Sequence, residues 1–561
     1  MKFARLFTSL LLLLTLQPAL AFPVSVPDPT RPALTTDQRI YQVLQRLTFG
    51  PRPGDFDGIK KIGVRAYIEQ QLDPDGIDDS ALRKRLEKLP TLMLSNPTLA
   101  EVYNPPKPKP TPTPEPKSTD TAIAEPTVAP SPTPAPKPTP TPKNSYQVVT
   151  ELQRAKLLRA VYSERQLYEV VVDFWENHFS IYANKDADRL LLTGFDRDSI
   201  RPFAFGRFRD LLGATAHSPA MLFYLDNWQS SVVREYPATK DKPARKIGGI
   251  NENYARELME LHTLGVGGGY TQKDVEEVAR CFTGWTIRKP NEEGLFYYNP
   301  AMHDNGEKVV LGQKIPAGGG IGDGERVLDI LAKSPATARF VATKMARRFL
   351  GDDPPQSAVN RAGQVFLRTD GSIRETLRSL ITSPEFFSAA AYRTKVKSPF
   401  EFVASALRST AAETDANRPV LDWISRMGQP VYGRVTPDGY PDVSRVWLSN
   451  NDLLARFNFA GALLLNNIKG TRVDTSKLIA DDADPPKSAA EVARVFLSNR
   501  ASHETRSALE KLASAPPAAV NVPISAPASS PLTTSAKPDV GAAIRAQLIA
   551  LALGSPEFQR K

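Results

Sequence analysis

The stretch RQLYEVVVDFWENHFSIY, residues 165–182, decides the fold class. Leu167, Val170, Val171, Phe174, His178 and Ile181 recur three and four positions apart, which predicts one face of a helix running from Arg165 to Tyr182. Working outward, the same period returns. Tyr254, Leu258, Leu261 and Leu264 mark a second helix, which Gly265 ends. Thr271-Gln272-Lys273-Asp274 reads as a capping box, with Asp in place of the usual Glu, and opens a third helix carrying Val275, Val278 and Phe282. Ser218-Pro219, Ser334-Pro335, Ser383-Pro384, Ser398-Pro399 and Ser555-Pro556 each read as a helix start, because serine caps orphan amides and proline suits the first turn. Glu401 completes a capping box with Ser398.

One interval breaks the helical period. Between Trp285 and Leu311, Thr286-Ile287-Arg288 and Leu295-Phe296-Tyr297-Tyr298 flank a turn-forming Pro290-Asn291-Glu292-Glu293-Gly294. The expected class is therefore mainly α: a multi-helix globular domain with a small β-hairpin insertion and two disordered Pro-rich segments. The chain holds 50 prolines, unevenly spread. Residues 105–143 are Pro-Thr, Pro-Lys and Ala-Pro repeats with almost no large apolar side chain, so burial cannot offset the entropy of ordering them. Residues 513–540, rich in Ala, Pro and Ser, read as a second low-complexity linker. That leaves 22–104 as an N-terminal helical part of the core, 144–512 as the main helical domain and 541–561 as a C-terminal helix.

Residues 1–21 read as an export signal. Lys2 and Arg5 precede an apolar run from Leu6 to Leu16, and Ala19-Leu20-Ala21 presents small residues before a cut ahead of Phe22. The run is shorter than the roughly 20 residues that span a bilayer. No second run of that length follows, so a periplasmic or secreted protein with no transmembrane span is expected. The single cysteine, Cys281, excludes an intramolecular disulfide and an all-sulfur metal cluster. The net charge of +10 is scattered without a basic stripe, which argues against nucleic acid as a partner.

Five histidines make each one informative. His178 shares its helical stripe with Phe174 and faces the core. His217 sits in the break before Ser218-Pro219. His303 and Asp304 lie in a polar turn, His303-Asp304-Asn305-Gly306, where imidazole and carboxylate can share a metal or orient one another. Asn253, Glu257 and Glu260 line one face of the second helix, and aligned carboxylates can bind a divalent cation or act as acid and base. His262, beside the end of that helix, is accounted for by the helix dipole alone. Gly265-Val266-Gly267-Gly268-Gly269 follows a helix and lacks the Gly-Lys-Ser/Thr ending of a phosphate loop. With no dinucleotide fingerprint, nucleophile elbow or zinc helix either, no nucleotide cofactor is expected.

Several segments together resemble a known family. They are Asp173–Phe179 (DFWENHF), Ala216–Asp226 (AHSPAMLFYLD), Asn251–Trp285, the turn His303-Asp304-x-Gly306-x-Lys308, Lys397-Ser398-Pro399 and Met427-Gly428-Gln429-Pro430. The chain from about Asp37 onward is similar to the bacterial exported family called domain of unknown function 1800, with 105–143 as an insertion. The resemblance implies export and no established activity. Two positions depart from the family pattern: His262 stands where an aromatic or aliphatic residue is usual, and Gly439-Tyr440-Pro441 replaces a Gly-Trp-Pro step.

Two functional readings follow. The first is an envelope scaffold or assembly factor that binds another exported protein or an envelope polysaccharide. The alternative is an envelope hydrolase, metal-dependent or not, in which His178, His217, Glu257, Glu260, His303 and Asp304 converge on one cleft. In its metal form, His178, His217, Glu257, His303 and Asp304 are the candidate ligands of a divalent ion that activates water.

Overall fold

The helix expected over 165–182 spans Gln166–His178 in the computed structural model, which describes residues 33–104, 144–238, 243–479, 485–514 and 540–561. It stops short of Tyr182 because the chain is drawn away. Phe179 leaves helical geometry at φ −101°, ψ 54°, and the Ala183 amide then donates to the Tyr432 carbonyl at 3.0 Å. Phe179 and Ile181 are still buried, so their apolar character reports an inward irregular segment, which mimics another helical turn. The leucine-rich segment 1–21, the proline-rich interval 105–143 and most of 513–540 lie outside the described residues.

Helices dominate, and one continuous hydrophobic cluster runs from Ile40 to Phe558. The helices before the proline-rich interval and the last helices thus share a core with the 144–512 region. The Gln166–His178 helix lies inside it, with Leu167, Val170, Val171, Val172, Trp175 and His178 all buried. Among the described residues no helix is long and apolar enough to cross a membrane.

The capping signals are made as expected. Thr271 Oγ1 accepts from the Asp274 amide at 3.2 Å while Asp274 Oδ2 accepts from the Thr271 amide at 2.9 Å. Ser398 and Glu401 make the same reciprocal pair at 3.3 and 2.9 Å. Helices start at Pro219, Pro335, Pro399 and Pro556. Ser383-Pro384 is the exception: a run of turns follows it, tightened by the Phe386 amide on Ser383 Oγ at 3.2 Å.

Two further corrections concern period and count. The second helix is α-helical only over Asn253–Glu257 and continues as a π-helix over Leu258–Thr263. A wider turn rotates every later side chain, so His262 is buried and Leu261 is only half-buried, the reverse of the α-helical expectation. Gly265, at φ +82°, ends the segment where a Cβ would press on the Phe340 ring. The expected hairpin is present, with Trp285–Arg288 antiparallel to Leu295–Tyr298, but it is one of four two-stranded sheets among the described residues. The others are Ser231–Tyr236 with Arg245–Gly249, Lys308–Val310 with Gln313–Ile315, and Glu413–Thr414 with Thr471–Arg472. The last two have strands of only two or three residues, too short for a period of two to show.

Candidate functional site

Where the Gln166–His178 helix ends, it meets the Pro335–Phe349 helix, the start of the Pro399–Ser409 helix and the irregular segment 429–447. A cleft of about 250 Å³ opens between them. Asp173, Glu176, Asn177 and His178 line it from the first helix, and Lys344, Arg347 and Arg348 from the second. Lys156, from the Ser145–Tyr162 helix, lies at the base beside Phe400 and Tyr432.

Most of these charges are paired. Lys156 Nζ is 2.8 Å from Asp173 and 2.7 Å from Glu176. Burial alone would lower the lysine's pKa, but the two carboxylates more than reverse that and raise it. The other Glu176 oxygen accepts the Tyr432 hydroxyl at 2.7 Å. Burial pushes Glu176 up to about 7 against the pull of Lys156. Arg348 reaches Asp173 at 3.4 Å and is paired with Glu401, which also takes the Lys561 ammonium. Burial would raise Glu401, yet Arg348 and Lys561 keep it well below the usual carboxylate range. Asp442 is 2.8 Å from Lys395, and Arg434 is 2.8 Å from Asp438.

Two of the cleft's cations have no carboxylate partner among the described residues. Arg347 donates Nε to the Asp352 carbonyl at 3.1 Å and makes no ion pair among the described residues. Lys344 makes neither a hydrogen bond nor an ion pair among them; its ammonium lies 5.5 Å from the Phe340 ring centre. Burial draws Lys344 down to about 8, although Asp442 and Asp438 oppose it. His178 is buried and neutral, held well below the usual imidazole value by burial first and then by Lys344 and His262. Its Nε2 lies 3.0 Å from the His262 carbonyl and must carry the proton there, which leaves Nδ1 a bare acceptor without a protein partner.

Asn177 fixes the far wall. Its side chain accepts from the Tyr440 amide at 2.7 Å and donates to the Tyr440 carbonyl at 2.8 Å. Gly439, at φ +72°, lies against the Asn177 backbone, where any Cβ would collide with the Asn177 carbonyl oxygen. Tyr440 donates its hydroxyl to the Pro430 carbonyl at 2.8 Å and lies 6.2 Å from the Trp447 ring. Tyr440 therefore presents an aromatic ring in the cleft wall.

The DFWENHF, KSP, MGQP and GYP segments all contribute to this one cleft. Residues 42–560 match the family model described as "Protein of unknown function (DUF1800)". The chain belongs to that family. No curated protein and no solved structure matches it significantly.

Of the six residues expected to converge, only His178 lines the cleft. His217 accepts a local role: its Nδ1 lies 2.9 Å from the Gly213 carbonyl, its Nε2 3.1 Å from Glu325, and its ring packs on Trp285 and Phe296. His303 is held between the Thr283 carbonyl at 2.8 Å and Asp323 at 3.2 Å, and Lys308 pairs with the same Asp323 at 2.6 Å. Asp304 pairs with Arg280 at 2.8 Å. Glu260 accepts the Tyr270 hydroxyl at 3.1 Å. Glu257 is half-buried and raised by burial and by Glu260. Among the described residues no group of three or more His, Cys, Asp or Glu is placed to hold a metal ion, so the expected divalent-ion cluster is not assembled. Apart from Glu257, each of these polar groups is taken up by a neighbour.

The residues that build the cleft, Lys156, Asp173, Glu176, Lys344, Arg347, Arg348, Tyr432 and Tyr440, are ones that scanning for histidines passes over. A signal was present. Lys344, Arg347 and Arg348 stand at three-and-four spacing, which puts three cations on one helix face.

Proposed function

We propose that this protein works by binding, in the cleft between the Gln166–His178 and Pro335–Phe349 helices, a segment of an envelope polysaccharide. The observation that carries this reading is the composition of the cleft. Aromatic rings (Phe174, Tyr440, Trp447) line it together with side chains that can donate or accept hydrogen bonds (Gln429, Arg434, Lys344). Pyranose rings present apolar C–H faces and polar edges, and such a lining complements both at once. The bare Nδ1 of His178 suits a ligand that brings hydroxyl donors. The envelope enters through the reading of residues 1–21 as an export signal. In this reading the paired charges at the base stiffen the cleft, because a fully satisfied buried network fixes its members in place. Trp447 lies in the wall, so titration of the protein with polysaccharide fragments is expected to change tryptophan emission saturably, and Trp447→Phe to abolish the change. An unaltered signal with every fragment, together with no heat of binding, contradicts it.

One observation favours hydrolysis as a second reading. Glu176, pushed up to about 7, stands one helical turn from Asp173, and a carboxyl group raised by burial to near neutrality can serve as a general acid or base. New reducing ends released from the same fragments, and lost in Glu176→Gln, support this. Binding without release leaves the protein a binding module.

A further inference from the structure

We infer that the Lys344–Arg347 face of the cleft is an oxyanion subsite, so that the ligand is an acidic polymer whose carboxylate docks there. The inference rests on the proposed polysaccharide reading and names the class of sugar.

Charge pairing carries it. The cleft is lined by five basic side chains (Lys156, Lys344, Arg347, Arg348, Arg434) and four acidic ones (Asp173, Glu176, Asp438, Asp442). All four carboxylates have a cation within 3.0 Å, namely Lys156 for Asp173 and Glu176, Arg434 for Asp438 and Lys395 for Asp442. Among the five cations, Lys344 and Arg347 alone have no carboxylate within ion-pairing distance among the described residues. They stand three residues apart on the Pro335–Phe349 helix and so point the same way. The Arg347 guanidinium is held by its Nε bond to the Asp352 carbonyl, its terminal nitrogens make no bond among the described residues, and the side chain lines the cleft.

An ammonium held in a half-buried cleft without a counter-ion is destabilising. It persists where the charge has a use, and the use that fits is an incoming anion. The neighbouring His178 supports this from the other side. Its Nδ1 is an unpartnered, buried acceptor, which would repel a carboxylate but accept a hydroxyl. A sugar acid offers both groups on one ring: the carboxylate to Lys344 and Arg347, and a hydroxyl to His178. A guanidinium and an ammonium side by side favour a planar carboxylate, which the guanidinium can take in bidentate fashion.

Titration calorimetry on the full mature chain tests this with three probes: trigalacturonate, the neutral trisaccharide maltotriose, and inorganic phosphate. Trigalacturonate is expected to bind about tenfold or more tightly than maltotriose, the value of one charge-assisted hydrogen bond. The double variant Lys344→Gln/Arg347→Gln is expected to erase that preference and keep an unchanged circular dichroism spectrum, since neither side chain holds another ion pair. Equal affinity for the acidic and neutral trisaccharides, unmoved in the variant, overturns the subsite and leaves the polysaccharide reading standing. Phosphate binding lost in the variant, with no saccharide bound by either protein, supports the subsite and overturns the polysaccharide reading. Absence of binding by all three probes overturns both.

Discussion

Lys344 and His178 show at the residue scale how pairing, more than residue type, decides which groups can act. Lys344 is faced by Asp438, Asp442, Arg347, the neutral rings of His178 and His262, and Phe340. Its proton is retained below about pH 8 and lost above it. Oxyanion affinity is therefore expected to fall as pH rises through about 8, and the Lys344→Gln variant to bind weakly with a flat profile. Stability moves the other way. The unfolded lysine keeps its proton up to 10.5, so between about 8 and 10.5 the unfolded chain binds more protons and the native state gains stability as pH rises. Lys344→Met should accordingly keep or raise Tm at neutral pH. His217 illustrates why scarce histidines misled. Burial lowers its pKa, but the Glu325 carboxylate and the Gly213 carbonyl outweigh burial and raise it. Glu325→Gln should lower that pKa, as read by NMR titration of the imidazole. Glu325 is distant in sequence and carries no local signal of the pairing.

At the scale of elements, capping chemistry and helical period were legible because both are local: a serine or threonine and a carboxylate three residues on, or apolar side chains three and four apart. What escaped were features fixed by distant partners. The π turn at Leu258–Thr263 cannot be read from spacing, since its sequence fits an α-helix until the side chains are rotated. The clamp of Asn177 on Tyr440 joins residues 263 positions apart. Of the family motif segments, DFWENHF, KSP and MGQP mark the cleft, as a resemblance and not as chemistry, while Ala216–Asp226, Asn251–Trp285 and the His303–Lys308 turn lie elsewhere. Gly439→Ala tests the clamp. A side chain there is strained at φ +72° and collides with the Asn177 carbonyl, so a loss of about 1–3 kcal/mol is expected by urea unfolding. Ser398→Ala, which removes one half of a capping box, should cost about 1 kcal/mol.

Across the whole molecule, one ion network runs beneath the cleft: Lys561 to Glu401, Glu401 to Arg348, Arg348 to Asp173, Asp173 to Lys156, Lys156 to Glu176, and Glu176 to Tyr432. It ties the last residue of the chain to the helix that the sequence announces most clearly. Glu401→Gln leaves two buried cations without their shared anion and should cost about 3–5 kcal/mol. Because the Glu401 pKa is depressed in the fold, its contribution is present above the ordinary carboxylate value of 4.5 and fades as pH falls toward its native value. The gap between wild type and variant should close in acid.

The cleft, and not the scattered histidines, is where we propose that this protein meets its ligand. Hydrogen–deuterium exchange, with and without saturating trigalacturonate, distinguishes the two locations. Protection confined to peptides covering 173–181, 344–348 and 429–447 is the predicted result. Protection at 213–217, 257–263 or 303–308 instead, with the cleft peptides unchanged, would contradict it.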